Sequence, residues 1–237
     1  MTQKTSAISK SRAQWNRLAN QWERQTKDIN NKFTKRTYLT TEFIERNKIH
    51  PCTTLDLGCA NGLISSILAN KGFSTYGIDV SDELIRLAIK RLSANFNDVE
   101  DRFRVCYNDE IPFNNRSFKL VTMIGVLPYI KNQKEYIKNI YNMIETDGYF
   151  LASSANRCSI YVFLYILKHI LMIRPTKLWW DTLINLSRTG INSGGNLEHH
   201  SSTQVHSASQ FDRLFNEIGF NVSSVLLNAS LWRLDKQ

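Results

Sequence analysis

Thr54-Leu55-Asp56-Leu57-Gly58-Cys59-Ala60-Asn61-Gly62 sets a carboxylate near the end of a short apolar run and follows it with a loop of small residues. A second apolar run, Thr75-Tyr76-Gly77-Ile78, ends in another carboxylate, Asp79, and a helical pattern starting at Leu63 lies between the two. A small-residue loop lets the backbone approach the charged end of a ligand. A carboxylate about one βαβ half-unit later suits the two hydroxyls of a ribose. The layout points to a nucleoside-type cofactor and hence to an enzyme. Each part also has a plainer explanation, with Asp56 satisfying backbone donors and Asp79-Val80-Ser81 merely opening a helix. It is the combination at this spacing that is specific.

The loop does not fit a nicotinamide fingerprint. G-x-G-x-x-G counted from Gly58 would fall on Gly58, Ala60 and Leu63, and leucine fits poorly where helix and strand must pack closely.

The elements that position these residues alternate. Strands are expected at Thr53–Leu57, Ser74–Ile78, Phe103–Cys106, Lys119–Ile124 and Tyr149–Ser153, with helices Leu63–Asn70, Asp82–Ala94 and Gln133–Ile144 between them. Ser81 stands at an N-cap position, with Asp82 and Glu83 favouring the positive end of the next helix. Gly72 and Gly148 follow helical patterns at C′-like positions. Such alternation implies a parallel sheet with right-handed crossovers. Helix Ala208–Ile218 and strands Phe220–Leu227 and Ser230–Leu234 complete the chain, the last two close enough to pair antiparallel.

At the N-terminus, residues 1–12 read as disordered. Trp15, Leu18, Ala19 and Trp22 then recur at i, i+3, i+4 and i+7, and a second helix covers Thr37–Arg46. The expected domains are an N-terminal helical cap (1–47), a cofactor-binding core (48–156), a helical insertion (157–206) and a helix–hairpin completing the core (207–237).

A chain of 237 residues with 42% hydrophobic content can bury one sizeable core. Its polar, basic start lacks the apolar segment of a secretory signal, and no apolar run reaches the roughly 18–20 residues a spanning helix needs. Cys52, Cys59, Cys106 and Cys158 form no CxxC pair, which reads as reduced thiols in a cytoplasmic protein. The net charge of +9 is concentrated early, eleven Lys/Arg standing against four acids in residues 1–50. This is either a solvated helix face or an attraction for nucleic acid, an anionic membrane or an anionic substrate.

These motifs resemble those of the class I S-adenosylmethionine-dependent methyltransferases of the small-molecule type, over about residues 14–155 and the terminal helix–hairpin. Asp56-Leu57-Gly58-Cys59-Ala60-Asn61-Gly62 matches the family's acid-x-G-x-G-x-G, with Ala60 at the middle glycine, a substitution that keeps close backbone approach if φ there is negative. The resemblance implies an α/β fold: a Rossmann-like doubly wound seven-stranded sheet, mostly parallel with a C-terminal antiparallel hairpin, carrying a helical N-terminal cap and an inserted helical lid. It implies S-adenosyl-L-methionine as cofactor, held by Gly58, Cys59, Ala60 and Gly62, with Asp56 near the methionine amino group, Asp79 on the ribose diol and Val80 against the adenine. Tyr107 to Phe118 resembles a segment whose acid takes the adenine amino group. Strict spacing selects Tyr107, and Asn108 or Asp109 is favoured here. Ile124 and Gly125 would touch the methionine part, and Tyr129 would face the substrate or simply pack.

Trp15-Asn16-Arg17-Leu18-Ala19-Asn20-Gln21-Trp22 resembles the opening helix that caps the family's cleft. Its aromatics, Trp22 among them, would shield the sulfonium by cation–π attraction or serve as ordinary core packing. Arg36 or Lys35 would pair with the cofactor carboxylate. Gly125-Val126-Leu127-Pro128-Tyr129 is not the [D/N]-P-P-[Y/F] of methyltransferases acting on base amines, which favours a small-molecule acceptor over nucleic acid.

The implied reaction is in-line displacement at an activated methyl, governed by positioning and water exclusion. A hydroxyl acceptor needs a base, for which the candidates are His199 and His200, with His206 beside the substrate. No acidic cluster accompanies them, and no metal is expected. The apolar stretch Ile160–Ile173, followed by Arg174, Lys177, Trp179 and Trp180, reads as a lid, a dimer surface or a peripheral membrane contact. Monomer and homodimer stay open, as does a place at the inner membrane face. An RNA methyltransferase and a non-catalytic scaffold are the rival functions.

Overall fold

The structure, a computed structural model, describes residues 2–28, 32–106, 111–113, 116–153, 208–226 and 231–236. In chain order the elements are α1 (Thr2–Gln25), α2 (Lys32–Arg46), β1 (Thr53–Leu57), α3 (Leu63–Asn70), β2 (Ser74–Asp79), α4 (Asp82–Leu92), α5 (Val99–Arg102), β3 (Phe103–Val105), β4 (Phe118–Ile124), a 3-10 turn (Leu127–Tyr129), α6 (Gln133–Met143), β5 (Ile144–Ser153), α7 (Ala208–Asn216), β6 (Phe220–Leu226) and β7 (Leu231–Lys236).

The described strands form one sheet in the order β3-β2-β1-β4-β5-β7-β6. Strands β1 to β5 are mutually parallel, whereas β7 runs antiparallel to both β5 and β6. The order reverses between β1 and β4, which opens a crevice at their C-terminal ends.

Register sorts the side chains onto two faces. Asp56 pairs with Gly77 and Thr122, and Thr122 with Leu151, so these four share one face. Leu57, Ile78, Val121 and Phe150 point the other way, into a cluster closed by Tyr136, Ile137 and Ile140 of α6 and by Phe211 and Phe215 of α7. Phe211 stacks on Phe215 one helical turn on, at 4.3 Å, and Phe215 leans on Phe150 and Phe220. On the first face α2 and α3 contribute Phe43, Ile44 and Leu68 against Leu120 and Leu151. Beside them, Ile85, Ala88 and Leu92 of α4 pack on Cys59 and Phe103. Helices on both faces explain why the strands read as nearly continuous apolar runs.

Some expectations need correcting. Residues 2–12, read as disordered, belong to α1, whose polar start hid the helical period. Helix α2 begins at Lys32 rather than Thr37, and β5 begins at Ile144, directly after α6. The turn α5 was not anticipated, being too short to show a period. The insertion 157–206, including Ile160–Ile173, Trp179 and Trp180, lies outside the described residues. No described helix is long and apolar enough to cross a membrane.

Candidate active site

The crevice is built from the loops after β1, β2 and β4. At the first of them the Gly58 and Cys59 amides both donate to the Ile78 carbonyl, at 2.8 and 3.0 Å, which pins the loop to the neighbouring strand. Gly58 has φ +69°, and a Cβ there would lie 2.2 Å from Val126 Cγ2. No side chain fits. Gly62 is closed differently, since its Cβ would meet Ala88 and Leu92 of α4 at 2.9–3.0 Å. Its bareness serves helix packing.

Ala60 does not meet the condition of a negative φ, since its φ is +49°. A left-handed alanine costs roughly 1–2 kcal/mol. The strain is offset locally, for the Ala60 amide donates to Asp79 Oδ2 at 3.0 Å. Asp79 Oδ1 accepts the Ser81 amide at 2.9 Å. One carboxylate thus ties the two loops together, and each of its oxygens keeps acceptor capacity for a further donor. Crowding by protein atoms pushes its pKa up to about 6, against the lowering effect of the amides of Ser81, Ala60 and Val80. The side chain retains some exposed surface. Val80, also partly exposed, follows directly.

Asp56 lies on the same face but deeper, 2% exposed. Ser65 Oγ donates to one oxygen at 2.7 Å and Thr122 Oγ1 to the other at 2.8 Å. Burial raises its pKa to about 6; the two hydroxyls oppose this, and the Asp79 charge adds to it. Asp56 therefore joins β1, α3 and β4 beneath the crevice floor. The sequence did not single out Ser65 or Thr122. The signal lay in small hydroxylic residues at apolar positions of α3 and β4.

The Cys59 thiol is buried against α4, with its pKa pushed well up by burial. Ile124 ends β4, partly buried against the α2–α3 cluster. Gly125 follows with φ +78°, and the Arg36 Nη1 comes within 3.1 Å of where its Cβ would be. Arg36 reaches this point from α2. Burial lowers its pKa, the nearby Tyr129 opposes the shift, and no described side chain offers it a hydrogen bond or ion pair.

Helix α1 supplies the roof. Trp15 meets Trp22 edge to face at 5.7 Å and Tyr129 at 5.8 Å, making one aromatic row across the mouth, with Tyr129 exposed. The helix is also tied down by polar contacts absent from the sequence reading. Ser81 Oγ donates to Asn16 Oδ1 at 2.6 Å while accepting the Leu84 amide as N-cap. Asn16 Nδ2 donates to Asp82 Oδ2 at 3.1 Å, and Arg12 pairs with the same carboxylate and lowers its pKa.

The structure thus brings together Asp79, Val80, the Gly58–Gly62 loop, Ile124, Arg36, Trp22 and Tyr129, with Asp56 beneath. Asn108, Asp109, His199, His200 and His206 lie outside the described residues. Among the described residues no group of three or more His, Cys, Asp or Glu could hold a metal ion.

The geometry agrees with what the chain is similar to. The family model of the methyltransferase domain matches residues 11–225. The chain belongs to the methyltransferase-domain family. Its fold is the α/β Rossmann-like methyltransferase fold with a parallel sheet. Curated relatives include the ubiquinone biosynthesis O-methyltransferases of Rickettsia typhi, 29% identical over 111 residues (47% of this chain, 44% of that protein), and of Nitrosomonas europaea, 27% identical over 105 residues (44% of each). The chain spans under half the length of these relatives. Among solved structures, the magnesium protoporphyrin IX methyltransferase of Synechocystis with bound SAH superposes with a TM-score of 0.66 at 15% identity, covering 97% of this methyltransferase-family chain and 99% of that one.

Proposed function

We propose that this protein transfers a methyl group from S-adenosyl-L-methionine to an oxygen or nitrogen of a small molecule. The observation that carries the reading is Asp79, a carboxylate at the tip of β2 that fixes both glycine-loop and helix-start backbone while keeping acceptor capacity. The donor set fits the cofactor. Asp79 suits a ribose diol, Val80 the adenine face, and the Arg36 guanidinium, which has no ion pair among the described residues, a carboxylate. The Trp15–Trp22–Tyr129 row suits a cation lying over aromatic faces.

When bound, the cofactor supplies an electrophilic methyl on a sulfonium. The chain's own work is positioning and water exclusion. Trp22 and Tyr129 close the mouth, the Gly58–Gly62 loop sets the depth at which a ligand rests, and Arg36 fixes its anionic end. Asp56 acts through Ser65 and Thr122 by holding the floor. For a hydroxyl acceptor, His199 or His200 takes the proton and His206 borders the substrate.

The names of the curated relatives favour oxygen over nitrogen as the acceptor atom. Residues 1–47 act as cap, 48–156 and 207–237 as core, and 157–206 as lid. The protein works in the cytoplasm, against the inner membrane face if its acceptor is lipid-like. The test is calorimetry with S-adenosylmethionine and its demethylated product, followed by mass analysis of whichever extract compound gains labelled methyl. Micromolar binding and one labelled product are expected. Absence of binding would end the reading.

A further inference from the structure

Arg91 stands on the last turn of α4, with no assigned role toward the ligand itself, yet it is the hub of a closed polar ring. Its Nε donates to the Asn61 carbonyl at 2.9 Å, inside the glycine loop, and its Nη2 donates to both oxygens of Glu23 on α1, at 2.9 and 3.1 Å. Asn61 closes the ring. Its Nδ2 donates to the same Glu23 carboxylate and to Thr26 Oγ1, the latter at 2.8 Å. Arg91 and Glu23 are about one-quarter exposed, whereas Arg86 and Glu83 on the same α4 are 62% and 48% exposed. A screened surface pair holds little, but a largely buried pair whose members are also shared with Asn61 holds its partners in one geometry.

We infer that Arg91 and Glu23 are positioning residues, which lock the glycine loop to α1 and so couple closure of the aromatic roof to the ligand-ready shape of the loop. Three facts make the coupling necessary. Ala60, next to Asn61, sits in a strained left-handed conformation that Asp79 holds at its amide and that the Arg91 bond to the Asn61 carbonyl braces on its C-terminal side. The apolar attachment of α1 is thin, with Ala19 its one fully buried apolar residue among those described, so polar ties carry its docking. A second tie, Asn16 to Ser81 and Asp82, fastens the same helix to the loop on the other side of Asp79. Helix and loops therefore open or close as one unit, and a ligand that needs the closed loop also selects the docked helix.

The inference deepens the cofactor reading, and its test is built so that the two can fail separately. Amide exchange on the ligand-free protein comes first. Arg91→Ala and Glu23→Ala should speed exchange across residues 11–25 and 58–62 together, while Arg86→Ala leaves both unchanged. Calorimetry with S-adenosylhomocysteine comes second. Each variant should weaken binding about tenfold, the double variant no more than the worse single one, and Arg91→Lys should fall between. With substrate at saturation, the KM for the cofactor should rise while kcat stays within about twofold, a split that general destabilisation does not give. Wild-type exchange in Arg91→Ala, or additive losses in the double variant, would overturn the inference. Wild-type protein that binds no S-adenosylhomocysteine would overturn the cofactor reading instead, leaving the exchange result to decide this one.

Discussion

Asp79 accepts the amide of Ala60 at 3.0 Å, so the carboxylate at the tip of β2 holds a residue of the β1 loop in the left-handed region. This bond makes Asp79 both a candidate ligand group and part of the frame that shapes the loop. Its replacement should therefore be felt in affinity and in loop order at once.

For Asp79→Asn, one oxygen remains to accept a backbone amide and the other acceptor is lost. Binding of S-adenosylhomocysteine should fall by tenfold or more, with a modest loss of stability of about 1–2 kcal/mol. Calorimetry and thermal unfolding read the two effects. Unchanged affinity would remove Asp79 from the ligand site.

Glycine and alanine make opposite predictions in the first loop. Gly58→Ala forces Cβ into Val126 at a positive φ and should destabilise by about 2–4 kcal/mol, partly relieved by Val126→Ala. Ala60→Gly releases left-handed strain but adds unfolded-chain entropy, for a net gain of about half a kcal/mol. Urea titration of the three variants and wild type checks both signs.

The carboxylates of Asp56 and Asp79 set a pH dependence of unusual sign. Both pKa values are raised to about 6, so the folded state binds protons that the unfolded chain, titrating near 4, does not. Their contribution to stability therefore grows as pH falls from 7 through 6 towards 4, by on the order of 2–3 kcal/mol each at most. Asp82, with its pKa lowered by Arg12, contributes in the opposite sense. The Asp56→Asn variant isolates one group. Its stability relative to wild type should decline as pH drops from 7 to 5, and a pH-independent difference would contradict the assignment. Ligand affinity should also fall below pH 6 as Asp79 is neutralised.

Arg36 is desolvated without an ion pair among the described residues, which costs the ligand-free fold. Arg36→Met should raise the melting temperature of the ligand-free protein while weakening S-adenosylhomocysteine by tenfold or more. Affinity equal to wild type would show that the guanidinium does not meet a carboxylate.

The alternation of strands and helices, the loop between Gly58 and Gly62 and the position of Asp79 were all legible in the chain. Each rests on local chemistry, namely apolar runs of strand length, small residues that allow tight turns, and an N-cap serine. The start of α1 was not legible, since its polar first turns carry no period, and the sign of φ at Ala60 stayed open because alanine gives no warning of it. Folding alone decided that Asp56 would be enclosed by Ser65 and Thr122, and that Arg91, Glu23 and Asn61 would meet. Those partners stand 9 to 68 positions apart along the chain. Sequence by itself determined the family, the order of the elements and the small-residue loop between Gly58 and Gly62, because each is written in neighbouring residues. Tertiary structure decided which polar groups find one another, because a hydrogen bond is a matter of ångströms that no local pattern of residue types encodes.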